Sequence, residues 1–495
     1  MMSGARVLAV WFAPALWLSM PALIVERGPD GLWIALALAL APLIALGAGS
    51  PRPASDEAEP VFPVIVLLVA IGVLLWANLT LAGDVAAWLG APRWQGVAVT
   101  AAGGCLLTAW RGGAPLVPAL LLAAALALSA PLAEVARAAG VGPIGAWAHV
   151  AGQTAFRFPS TSPWVTDGRD PRLRGLLVFE EEQRIIAPDG GRLLARTPEG
   201  GSVTDVEWML TPGQSVTLRA GDGLRPNPVP RLRFEPDKRV PGAPASGIDW
   251  AAGAPADWPR RAGVLVTLVF GALGLCRAGA PWPTTRATAA VAAGGGLLVL
   301  AWAQGWALYS ILASPDLFLG GITPERFLAL PAMRVDEPVR AALEGLLLAG
   351  GMAGFLASST ALRERLGALD RTGGGEIGRD LGLWAGVFTI AALASLWPLD
   401  AWSLTLCALG AAGSGLGTTA LGSTAAPPGV DTVAGLTGLA LFGILTAAAQ
   451  VLAPGDGLLG AMLAYPALAA VPAACLVSVL GRATTSHRPV RSIRA

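Results

Sequence analysis

Along most of the chain, apolar residues run almost unbroken for about twenty positions at a time, enough for a helix to cross a hydrocarbon core of ~30 Å. Such runs fall at 5–25, 31–49, 62–83, 95–111 and 114–136, and again at 261–278, 287–312, 339–361, 381–398, 401–424, 432–453 and 457–481. They predict a membrane all-α bundle of about 12 transmembrane helices. The first run is read as a retained span rather than a cleaved leader: it holds Trp11, Pro14 and Trp17, and "IVERGPD" after it offers no small-residue cleavage site.

Between the fifth and sixth runs the pattern changes. From Gly175 to Glu235, short segments alternate apolar and polar positions and stop at turn residues: "GLLVFE", "QRIIAP", "DGG", "RLLART", "PEGGS", "VTDVEWML", "TPGQ", "SVTLRA", "GDG" and "RLRFE". A period of two with glycine turns predicts antiparallel hairpins, here a small all-β sandwich or partly open barrel of about six or seven strands. Val216 and Leu218 share one face, Thr217 and Arg219 the other, and Leu232 and Phe234 point inward. The flanks "SPWVTDGRDPRLR" and "KRVPGAPASGIDWAAGAPADWP" read as extended linkers or laid-down loops that tie the domain to the membrane surface, and "EVARAAGVGPIGAWAHVAGQTAF" as a short interfacial helix. The chain therefore divides into an N-terminal membrane part (1–138), a β-rich domain with linkers (139–260), a C-terminal membrane part (261–481) and a basic tail (482–495).

Arginines orient the bundle. They concentrate in the tail (Arg482, Arg488, Arg491, Arg494), in "RERLGALDRTGGGEIGRD", at Arg277 and Arg286, and at Arg111, Arg52 and Arg6. Loops of alternate sidedness, "PLDAW" and "APGDG", hold none, although Arg27 and Arg93 are exceptions. The positive-inside rule then places both termini in the cytoplasm and the β-domain outside. Composition agrees: 54% of the 495 residues are hydrophobic and only 14% charged, well below a soluble domain's share. Lys238 is the sole lysine, and this arginine bias with abundant Ala, Gly and Pro points to GC-rich bacterial coding and thus to a bacterial inner membrane. A net charge of +1 gives no basic face for nucleic acid. Eighteen tryptophans against two tyrosines, with Trp33, Trp94, Trp110, Trp397 and Trp402 at span ends, read as interfacial anchors.

Candidate chemistry is sparse. Cys105, Cys276, Cys407 and Cys475 lie in apolar runs without ligand spacing, and the two histidines, His149 and His487, lie outside the spans, so neither a metal nor a haem cofactor is expected. The acids of the polar interval read as a solvated surface, and Glu180, Glu181 and Glu182, as consecutive strand residues, cannot converge on one ion. Within the spans Glu344 is the best candidate for a transport site, with Arg340 one turn earlier as its local partner; Gln304 and Gln450 are uncharged polar groups at membrane depth. On the outer face, Arg326, Arg334 and Asp336 would have to converge with the β-domain for any enzymatic site. Gly350 to Gly354 and Gly413 to Gly417 permit close helix approach. "GALDRTGG" at Gly367 to Gly374 is similar to a loop signature of major facilitator transporters, but it lacks one residue before Asp370 and has no first-half counterpart in "GSPRPASDEAEP". The likeness is confined to that loop and defines no family. The leading expectation is a non-catalytic subunit or assembly factor of an envelope complex, bound to the lipid bilayer and docking a protein partner through its β-domain. Secondary transport is the alternative, and envelope glycan or lipid chemistry the third reading.

Overall fold

The computed structural model describes residues 20–30, 61–88, 91–109, 143–158, 177–199, 202–226, 231–252, 258–277, 286–313, 318–319, 352–363, 375–397, 401–417, 428–452 and 457–486, with isolated positions between. It is mostly helical with a small antiparallel β region. The helices are α1 (Met20–Arg27), α2 (Val61–Trp88), α3 (Arg93–Ala109), α4 (Pro143–Ala151), α5 (Gly247–Ala252), α6 (Trp258–Arg277), α7 (Arg286–Ala313), α8 (352–363), α9 (Gly375–Leu396), α10 (Ala401–Ala412), α11 (Pro428–Val451), α12 (Gly457–Ala464) and α13 (Ala467–Ser486).

Helices thus lie at the third, fourth, sixth, seventh and ninth to twelfth expected runs. Among the described residues, however, only three are long and apolar enough to cross a membrane: Phe62–Ala87, Gly429–Val451 and Ala467–Thr484. The expectation of twelve transmembrane helices is not supported. The physical reasons are local. α6 opens with Arg260 and Arg261 and closes with Arg277, α3 is short and begins Arg-Trp-Gln-Gly, and α10 ends early where the chain turns into a π-helix over Gly413–Gly417. Asp380–Leu396 is a shorter apolar helix.

α2 shows how sequence sets an element. Pro63 sits in the first turn, where its missing N–H costs nothing; no proline interrupts the apolar run; and "GAP" at 90–92 stops it. Its partner α3 packs antiparallel, because Gly96 presses its backbone onto the carbonyl of Ala82. Asp84 and Arg93 form an ion pair at this turn, so the arginine that breaks the orientation rule is neutralised locally. α8 runs beside α3, with Phe355 against Gly104 and the Thr108 and Ser359 hydroxyls 2.7 Å apart. The Gly413–Gly417 segment is the hub of the C-terminal half. It touches α2 at Val66, α6 at Phe270 and α11 at Gly435, Gly438 and Leu439. Glycine at 271, 274, 435 and 438 lets backbones meet there.

The bundle's two ends differ. At the end where α2 finishes and α6 begins stand exposed Trp94, Trp258 and Trp397. At the opposite end, Arg363 Nε donates to Asp380 Oδ1 at 2.6 Å, joining α8 to α9, and Arg482 Nη2 donates to Asp431 Oδ1 at 3.4 Å, joining α13 to α11.

The β-domain has seven strands: β1 (Leu177–Val178), β2 (Gln183–Ala187), β3 (Gly191–Glu199), β4 (Ser202–Leu210), β5 (Gln214–Leu218), β6 (Gly223–Pro226) and β7 (Arg233–Phe234). They form a four-stranded sheet in the order β1-β6-β3-β4 and a three-stranded sheet in the order β5-β2-β7, all pairs antiparallel. Two glycine turns carry the chain between the sheets. In Thr211-Pro212-Gly213-Gln214, between β4 and β5, the proline takes the second position and Gly213 has φ 77°, with Gln214 N donating to Thr211 O at 3.0 Å. Gly190, at φ 70°, turns the chain from β2 into β3 of the other sheet, with its amide donating to Ala187 O. Leu193, Ala195, Leu224, Ile185, Leu218 and Phe234 are buried between the sheets, so the period-of-two reading of inward positions holds.

Candidate functional site

The flank after the β-domain, described over 238–252, is laid down as a seat for the domain, whereas the flank before it, 162–174, lies outside the described residues. Where the chain enters and leaves the β-domain, its two sides pair: Phe158 N donates to Lys238 O at 2.9 Å, Asp237 N to Phe158 O at 3.0 Å and Val240 N to Phe156 O at 2.9 Å. Asp237 makes the turn at φ 62°, the one non-glycine residue with positive φ among the described residues, a conformation aspartate tolerates better than most. Phe158 stacks on Phe234 at 4.9 Å inside the domain, while Phe156 meets Phe318 beyond the end of α7 at 4.9 Å. The clasp therefore shares one apolar core with both the sandwich and the helices.

α5 completes the seat. Ser246 caps it, its hydroxyl accepting from Asp249 N at 3.2 Å and donating to Asp249 Oδ2 at 2.7 Å. That pairing was legible as Ser-x-x-Asp before an aromatic residue, and it was missed inside a Pro- and Gly-rich stretch. Gly247 sits so close to the carbonyl of Val150 that no side chain fits, which lets α4 and α5 touch. Trp250 is then buried, stacked on Trp147 of α4, with its Nε1 donating to the Val25 carbonyl of α1 at 2.9 Å. α4 itself occupies part of the stretch expected to form an interfacial helix.

Electrostatics tighten the same place. Arg239 pairs with Glu180 through its guanidinium and with Glu181 through its backbone N–H, and Arg157 lies 3.7 Å from Glu181 and donates to Asp237 O at 2.6 Å. Two of the three consecutive glutamates thus meet the same arginine, one at its guanidinium and one at its backbone N–H. Residues 179–182 are a bend rather than a strand, so strict alternation of faces does not apply. On the outer face of the larger sheet, Arg196 Nε is 3.0 Å from Asp205 Oδ1, and Arg192 pairs with Glu207. The hydrogen bond that Arg192 donates to Glu207, and then the Glu207 charge, raise the pKa of the Arg192 guanidinium above its ordinary value. Val178 and Met209 stand exposed on this face among the charges.

Of the candidate residues named from sequence, the structure describes Gln304 and Gln450, which lie on different helices. Gln304 is half-buried on α7, which packs on α1 and α4, whereas Gln450 is exposed near the end of α11. Glu344, Arg326, Arg334 and Asp336 lie outside the described residues. Sequence reasoning passed over the polar atoms that the fold leaves unpaired: Trp76 Nε1, both amide atoms of Asn78, Thr80 Oγ1, Ser414 Oγ and, inside the sandwich, both amide atoms of Gln183. Polar residues isolated in an apolar run were the available signal. Among the described residues no cluster of histidine, cysteine, aspartate or glutamate is arranged to hold a metal, and Cys105, Cys407 and Cys475 are free.

Neither a protein-family model, a curated protein nor a solved structure matches the chain. The fold itself defines a class: a mostly helical protein with, among the described residues, three helices long and apolar enough to cross a membrane, carrying a small antiparallel β-domain seated on its helices.

Proposed function

We propose that the chain is a non-catalytic subunit or assembly factor of a bacterial envelope complex, with the β-domain on the outer side of the cytoplasmic membrane docking a protein partner. The observation that carries this reading is the seat. A domain held by a backbone clasp, a buried tryptophan stack and an arginine–glutamate knot presents its strands in one fixed orientation, which lowers the entropic cost of binding. The tryptophans at the β-domain end and the arginine pairs at the other support the orientation, with the β-domain outside and the basic end in the cytoplasm.

The clasp also supplies the experiment. Because Phe158 and Lys238 are hydrogen-bonded neighbours, residues 159–237 can be replaced by a short glycine turn without pulling the helices apart. The full-length protein purified from its host in mild detergent is expected to carry a stoichiometric partner, and the excised form to insert normally and lose it. Retention of the same partner by the excised form would sink the reading.

Secondary transport is the second reading, favoured by the unpaired polar atoms on α2. In it Glu344 carries the ion or proton, so Glu344→Gln should stop flux at normal expression; undiminished flux removes that residue.

A further inference from the structure

Asn78 stands out among the polar groups of the helices. It lies on α2, within the apolar span Phe62–Ala87, is only 4% exposed, and neither Nδ2 nor Oδ1 has a hydrogen-bond partner. Nine residues separate it from Val69, which is 56% exposed. At about 3.6 residues per turn that is two and a half turns, so Asn78 faces the bundle interior while Val69 faces out. The same rise, about 1.5 Å per residue, puts it roughly 13 Å inside the span's end at Ala87, well below the interface.

Other buried hydroxyls in these helices satisfy themselves. Thr108, Thr267 and Thr405 each donate to the carbonyl four residues back at 2.7 to 2.8 Å. Asn78 makes no such bond, and Thr80, two residues on and 1% exposed, has a free hydroxyl as well. An unpaired amide at this depth is costly, and a leucine would fill the place without that cost. The cost is recovered in a state where the amide meets a polar partner.

We propose that Asn78 forms the wall of a polar site at membrane depth that is sealed in this conformation and opens to water in another, taking a neutral hydrogen-bonding solute. The amide supplies both donors and an acceptor and no charge, which suits an uncharged polar molecule, water included, rather than an ion. This site is independent of whether the β-domain docks a partner.

The test is chemical accessibility in the full-length protein in native membranes. Methanethiosulfonates react with thiolate, and a thiol sealed in an apolar core stays protonated and inert. Asn78→Cys is treated with the neutral hydroxyethyl reagent and with the anionic sulfonatoethyl reagent, and adducts are located by peptide mass spectrometry, so the native cysteines remain. Leu79→Cys, fully buried in the same turn, and Val69→Cys, facing outward, are the controls. Asn78→Cys is expected to react with the neutral reagent at least tenfold faster than either control and faster than with the anionic one. A rate no higher than that of Leu79→Cys overturns the site, and equal rates with both reagents overturn its neutral specificity. Asn78→Leu guards against a misleading cysteine: with Leu81→Cys, one turn on and on the same face of α2, as reporter, it should slow the neutral reagent, and an unchanged rate counts against Asn78 lining the site.

Discussion

Trp147 and Trp250, from opposite flanks of the β-domain, stack with ring centroids 5.1 Å apart, and Trp250 reaches on to the Val25 carbonyl of α1. One side chain thus links the domain's entry, its exit and the first membrane-side helix.

Trp250→Ala should therefore loosen the β-domain as a body. Removing a buried tryptophan costs about 3–5 kcal/mol, and protease cleavage around 239–258 should accelerate while helix content stays constant. Trp250→Phe keeps a ring but loses the bond to Val25, so its cost should be nearer ~1 kcal/mol. Equal protease resistance of Trp250→Ala and wild type would refute the seat.

The arginine–glutamate knot predicts a coupling. Arg239→Met strands Glu180, while Glu181 keeps the backbone N–H of residue 239 and Arg157, and Glu180→Gln in the same chain should recover part of the loss. Because Glu180 is half-exposed, the pair's coupling should be modest, about 0.5–1 kcal/mol in a double-mutant cycle on thermal unfolding. Additive losses would mean that the contact contributes nothing.

Glycines divide into those the packing needs and those it does not. A Cβ at Gly438 would run into the Ser414 carbonyl and one at Gly274 into that of Ala412, whereas Gly443 on α11 has open space. Gly438→Ala and Gly274→Ala should each cost about 1–3 kcal/mol, seen as a lower melting temperature in detergent. Gly443→Ala should leave it unchanged or raise it, since alanine favours helix by up to ~1 kcal/mol. A uniform response across the three would show that the hub is not tightly packed.

Gln183 faces the sandwich core opposite Leu218, 1% exposed, with both amide atoms unpaired. Gln183→Leu should raise stability by about 1 kcal/mol, because it removes an unsatisfied buried polar group at similar volume. A fall in stability would mean that the amide meets a partner in solution.

The sequence was most legible where one residue type acts alone. Alternation separated Leu218 from Thr217 and turned Leu232 and Phe234 inward, and all three apolar residues are buried, while Pro212-Gly213 placed the β4–β5 turn. It was least legible where two distant segments share the work. Twelve spans are not supported among the described residues, because hydrophobic runs report composition, whereas helix length is set by local breaks such as the π-turn at Gly413–Gly417. The stretch after the β-domain left linker and laid-down loop open until Phe158 and Lys238, far apart in sequence, are seen to pair.

By itself, then, the amino-acid sequence determined the classes of element, apolar helices and alternating strands, because side-chain periodicity and turn chemistry are local properties of the chain. Tertiary structure alone decided that Trp147 meets Trp250, that Glu180 and Glu181 close on Arg239, and that Asn78 faces inward without a partner. Those facts depend on which surfaces meet across the fold, and no local pattern encodes them.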